Sequence, residues 1–134
     1  MSDTNINNTS NEITQINNDF NKLNLVERQT SDDILRLGYC YEYGIGVEKD
    51  ENKAFIHYQK SAEMNNPNGI YQVGYCYYLG IGVEIDKHKA FMHYLKSAEA
   101  GNDMGIWKTA ICYGYGIGVE KSKDKYHYWT GKDP

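Results

Sequence analysis

An all-α repeat solenoid is the fold that this 134-residue sequence predicts. Three observations predict it. The pentapeptide GIGVE occurs at residues 44–48, 80–84 and 116–120, each copy 36 residues after the last. Residues 37–72 laid on 73–108 give 22 identities in 36 positions. Between the glycine breaks, apolar and small residues recur at helical spacing. A fixed period of roughly 20–50 residues marks an array whose units cannot bury their apolar faces alone.

Each unit reads as two helices. Asn66-Pro67 is an N-cap followed by proline at the first helical position, and Thr30-Ser31 and Asn102-Asp103 hold the equivalent places. In the first unit, helix A carries a stripe of Leu37, Gly38, Cys40, Tyr41 and Gly44, expected to face the core. Gly44 ends the helix, because glycine accepts the left-handed conformation that helix C-termini favour. A loop then leads to Asp50, an N-cap for helix B; Asp86 and Ser122 occupy the same slot. Helix B runs through Lys53 to Ala62 with Ala54, Tyr58 and Ala62 on one stripe, and ends near Asn65, or at Gly101 in the second unit. Small residues at Gly38, Ala54 and Ala62 let the two helices approach closely.

The pattern Gly69-x3-Val73-Gly74-x2-Tyr77-x2-Gly80-x-Gly82-Val83-x2-Asp86-x2-Lys89-Ala90-x2-His93-Tyr94-x-Lys96-Ser97-Ala98-x2-Gly101-Asn102 resembles the Sel-one-like repeat, a relative of the tetratricopeptide repeat. The resemblance covers residues 33–68 and 69–104, with a truncated copy at 105–134. It implies an αα-hairpin solenoid wound as a right-handed superhelix, with about 2.7 repeats of 36 residues. His57 and His93 stand where the family usually has Trp, and Gly69 and Gly105 where it has its first Ala. In the third copy Ala110 replaces the paired glycine, and residues 125–129 align with 89–93 only if a two-residue gap is allowed.

The remaining chain bounds the function. Net charge is −4 without a basic run, which argues against nucleic-acid binding. No apolar stretch approaches the roughly 18 residues that a membrane span needs. Residues 1–30 contain eight asparagines and lack a cationic start followed by an apolar core, so no secretory leader is expected. That segment reads as a disordered tail or, through Ile13, Ile16, Phe20 and Leu23, as a short capping helix.

Cys40, Cys76 and Cys112 share one slot of successive helices A. One thiol per repeat is not a disulfide framework, and neighbouring helix axes about 8–10 Å apart exceed what a disulfide bridges. Buried small hydrophobes are expected, in a cytoplasmic protein. Some secreted bacterial members of the resembled family pair cysteines between helices A and B; helix B here has none. The GIG loops follow helices rather than strands, so they read as turns and not phosphate cradles. His57, His88, His93 and His127 lack metal-ligand spacing. No cofactor, no metal and no catalytic site is expected, because repeated residues do not make one unique constellation.

Thirteen tyrosines are the notable excess. On a helical wheel, Asp32, Arg36, Tyr39 and Tyr43 fall opposite the stripe; their counterparts are Asn68, Gln72, Tyr75 and Leu79, then Met104, Lys108, Ile111 and Tyr115. In tetratricopeptide-like solenoids helix A lines the concave face. The resemblance therefore implies a protein-binding groove built from Arg36, Tyr39, Tyr43, Gln72, Tyr75, Leu79, Lys108, Ile111 and Tyr115. These tyrosines either face a ligand or pack on neighbouring repeats.

The expected function is a non-enzymatic scaffold or adaptor binding a protein or peptide, in signalling. The alternative is a C-terminal regulatory or targeting fragment of a larger protein, such as a kinase followed by repeats. The C-terminal end, around Tyr126, Tyr128 and Trp129, is expected to expose apolar surface on which further repeats stack.

Overall fold

The computed structural model of the chain describes residues 9–18 and 29–131. The chain divides into two units, residues 1–30 and 31–134. In the first, residues 9–18 form α1, all of whose residues are exposed, Ile13 and Ile16 among them. Phe20 and Leu23, the rest of the proposed stripe, lie outside the described residues.

The second unit holds α2 (Ser31–Tyr43), α3 (Glu51–Glu63), α4 (Pro67–Leu79), α5 (Lys87–Glu99), α6 (Asp103–Tyr115) and α7 (Lys123–Thr130). Each helix packs against the next in the chain, so the described part of this unit is a solenoid of three helical hairpins without strands. The expected signals set the boundaries. Asn66 and Asn102 cap α4 and α6, and Asp50, Asp86 and Ser122 accept the third backbone N–H of α3, α5 and α7. Gly80 and Gly116 end their helices in the left-handed region, and Asn65 (φ 60°) does the same work after α3 as Gly101 (φ 86°) after α5.

Two clusters form the core. Leu35, Ala54, Phe55, Tyr58, Val73 and Cys76 make the first; Tyr71, Ala90, Phe91, Tyr94, Cys112 and Tyr113 make the second. Each joins one hairpin to helix A of the next. This geometry corrects the stripe expected on α2. Leu37, Cys40 and Tyr41 are only half-buried and Gly44 is exposed, whereas Leu35, Gly38 and Glu42 are buried. The 37/40 face of helix A meets the preceding hairpin, so the same slots in α4, Val73 and Cys76, are 2% and 0% exposed.

Glycines and serines explain the close approaches. A Cβ on Gly38 would sit 2.5 Å from the Tyr58 ring, and one on Gly74 would sit 2.9 Å from the Tyr94 ring. The third hairpin has Ala110 in that slot because Thr130 replaces the tyrosine. Gly69 and Gly105 clear room for Ser61 and Ser97, whose hydroxyls donate to the carbonyls of Ser31 and Pro67 at 2.9 Å.

The gap expected in the third hairpin is absent. Ser122 and Trp129 stand 36 residues after Asp86 and His93, so the period is unbroken. Tyr126 takes the slot of Ala90, and it fits because Gly114 replaces Tyr78 opposite it, with a Cβ on Gly114 only 3.0 Å from the Tyr126 ring.

Candidate protein-binding face

The predicted face of helices A divides into two kinds of residue. Tyr43, Leu79 and Tyr115 share one slot and are 62%, 47% and 75% exposed. Tyr39, Tyr75 and Ile111, one turn earlier, are half-buried. Tyr39 sets its ring edge-on to Tyr58, centroids 5.5 Å apart, and accepts a hydrogen bond from Gln72 Nε2 at 3.0 Å. Burial raises the Tyr39 phenol pKa, the Gln72 hydrogen bond opposes this, and the Glu42 charge adds to it. Tyr75 stacks on Tyr71 with centroids 6.5 Å apart. Arg36 is exposed and pairs with Asp33 at 3.4 Å, a solvated bridge that contributes little to stability. Lys108 is half-buried, with its Nζ 5.7 Å from the Tyr78 ring. Lys87 lies closer, 3.5 Å over the same ring, and donates to the Tyr78 carbonyl at 3.0 Å.

Ile111 and Tyr115 also line a concavity of about 530 Å³ with Trp107, Gly114, Lys121, Lys123 and Tyr126. Trp107 and Tyr126 were not among the residues expected on this face. The period holds the signal for Trp107: it shares its slot with Leu35 and Tyr71. At the C-terminal end Tyr128 is exposed, while Tyr126 and Trp129 are partly buried against the second cluster.

Burial pushes the Cys76 thiol up to about 12 and the Cys112 thiol up to about 11, so both are protonated and unreactive near neutral pH. His57 and His93 repeat one arrangement: Nδ1 lies 2.7 and 2.8 Å from the carbonyls of Lys53 and Lys89, and the rings lean on Tyr41 and Tyr77. They fill the space of an aromatic residue. Among the described residues no group of three His, Cys, Asp or Glu side chains gathers as metal ligands, and no helix is long and apolar enough to cross a membrane.

Comparison with known proteins agrees with this architecture. Solved structures similar to the chain include the following three. A Sel1 repeat protein from Oxalobacter formigenes is 30% identical with a TM-score of 0.74, over 77% of this chain and 42% of that one. The protein c5321, described as a protective antigen of uropathogenic Escherichia coli with an SLR fold, is 31% identical with a TM-score of 0.74, over 79% and 23%. Cysteine rich protein B of Helicobacter pylori is 26% identical with a TM-score of 0.59, over 61% and 62%. The chain thus spans less than two thirds of each neighbour. Among curated protein sequences none matches it. The Sel1 repeat model matches residues 31–66, 67–102 and 104–132. Proteins of this kind generally mediate protein–protein interactions and are generally not catalytic. With three repeats matched in the period that its helices follow, the chain belongs to the Sel1 repeat family.

Proposed function

We propose that the helix A face binds an extended protein or peptide segment, and that the chain is a cytoplasmic adaptor in signalling. The observation that carries this reading is the row Tyr43, Leu79 and Tyr115, three exposed apolar side chains in one slot of successive repeats. Helices packed about 8–10 Å apart set these side chains at a spacing of roughly one turn of polyproline II chain, three residues at about 3.1 Å each. Such a segment would place every third side chain against the row. Arg36, Gln72 and Lys108 supply polar groups one turn away from Tyr39, Tyr75 and Ile111. Three free thiols suit a reducing compartment. A second reading, a regulatory or targeting part of a larger protein such as a kinase followed by repeats, is favoured by the small share of the longer bacterial neighbours that the chain spans.

A displayed library of random peptides, selected on the purified chain, tests the proposal. Selected peptides should share apolar residues three apart. Alanine at Tyr43, Leu79 or Tyr115 should each weaken them about tenfold or more. Peptides that bind the triple alanine variant at full affinity would place the site elsewhere.

A further inference from the structure

The chain uses one docking joint twice. Leu35 shares a core cluster with Val73 and Cys76, and Tyr71 shares one with Cys112 and Tyr113. Phe55 meets Tyr77 edge-on with centroids 5.6 Å apart, and Phe91 meets Tyr113 in the same way at 5.1 Å. The glycine loops complete the joint. A Cβ on Gly82 would collide with the carbonyl of Glu51, and one on Gly118 with the carbonyl of Lys87. His88 Nδ1 lies 2.9 Å from the Gly118 carbonyl. Each loop backbone therefore rests on the first turn of the preceding helix B.

Both halves of this joint also stand open. Trp107, third in the slot of Leu35 and Tyr71, is 54% exposed where those two are 6% and 8%. In α7, His127 fills the slot of Phe91. On the other face, a Cβ on Gly46 would meet nothing within 4 Å. Leu37 and Cys40 are half-exposed where Val73 and Cys76 are buried. Cys40, Tyr41 and Gly46 are the same residue types as Cys76, Tyr77 and Gly82, which already dock inside the chain.

We propose that the Trp107 face of one copy receives the Gly46 face of a second copy, in the arrangement that joins the first repeat to the second. The register sets Gly46 on the first turn of the other copy's α7, near Lys123. The occupant is a second copy because the chain carries both halves of a joint that it already forms with itself. Such a contact is heterologous, so association is open-ended.

Sedimentation of the whole chain over a concentration series tests this. The weight-average mass should rise with concentration and continue past a dimer. Gly46→Asn adds a side chain while keeping a residue that tolerates positive φ, and Trp107→Ala removes the facing anchor. Each should raise the apparent dissociation constant about tenfold or more. Mixed in equal amounts, the two variants should form a dimer and nothing larger, since one intact face of each kind remains. Circular dichroism checks folding, with Trp107→Gln as substitute if the alanine variant loses helix. A chain that stays monomeric to roughly millimolar concentration overturns the proposal. So does a dimer that survives both variants, or a variant mixture that does not associate; the first of these includes the case in which residues 1–30 cover the Trp107 face.

Discussion

The Tyr58 hydroxyl donates a 2.5 Å hydrogen bond to the Glu42 carboxylate, which is 7% exposed. Thirty-six residues on, the buried Tyr94 hydroxyl has no partner among the described residues, because Tyr78 stands in the slot of Glu42. One deletion therefore has opposite meanings at the two sites. Tyr58→Phe takes the buried hydroxyl donor from the Glu42 carboxylate and should cost about 1.5–3 kcal/mol in urea unfolding. Tyr94→Phe removes an unsatisfied hydroxyl and should be neutral or stabilising. Equal losses at both positions would refute the pairing.

The thiols should respond to pH and reagent in step with burial. Cys76 is raised from 9.0 to about 12 and Cys112 to about 11, first by desolvation. The unfolded chain loses these protons above pH 9, while the folded chain keeps them. The unfolded state then binds fewer protons, so stability falls as pH rises from about 9 to 12 and is unaffected below that window. In the native protein a thiol reagent should modify half-buried Cys40 first, with Cys76 and Cys112 reacting at rates comparable to it only in urea. Native labelling of Cys76 as fast as Cys40 would contradict its burial.

Gly46 and Gly82 share the same φ of 71°, so alanine at either incurs the same backbone strain. They differ in surroundings: Gly46 is open, and Gly82 lies on Glu51 and Phe55. At a concentration where the chain is monomeric, Gly82→Ala should therefore destabilise more than Gly46→Ala by about 1–3 kcal/mol, the cost of overpacking. A difference near zero would mean that the loop does not bear on the preceding helix.

Tyr39 and Tyr43 separate packing from recognition on one helix. Tyr43→Ala should change stability by less than about 0.5 kcal/mol, as surface substitutions do, while weakening any peptide selected on this face. Tyr39→Ala removes a ring packed on Tyr58 and the Gln72 hydrogen bond, and should lower the midpoint of thermal unfolding as well. The two outcomes are read from melting curves and binding isotherms of the same preparations.

What was legible in the sequence is what the chain encodes locally. Asn66 and Asp50 cap, Gly80 terminates, and the 36-residue period places each helix, because these depend on a few neighbouring residues. Burial at the ends was not legible. Cys40 and Cys76 are identical in type and slot, yet differ in exposure because, among the described residues, only Cys76 has a preceding hairpin packed against its face. The inward turn of Glu42 was hidden too: its partner Tyr58 lies 16 residues away and on another helix. In the third repeat, matching by residue type suggested a gap, since Tyr126 looks nothing like Ala90. The compensating Gly114 becomes visible only when the two helices are set side by side. On the proposed face, helical spacing assigned Tyr39 and Tyr43 to one side without distinguishing the half-buried ring from the exposed one.

Asn66 uses both ends of one amide. Its oxygen caps α4 by accepting from Asn68 and Gly69, and its nitrogen donates to the Ser31 hydroxyl and to Asp32 at the start of α2. Asn102 repeats the device, capping α6 and donating to Asn68. Starting a helix and docking it on its predecessor are thus a single event. In a linear array with nearest-neighbour coupling, this places cooperativity at the boundaries: a repeat that loses its neighbour also loses part of its own nucleation, and melting propagates through the array rather than stopping at a single hairpin.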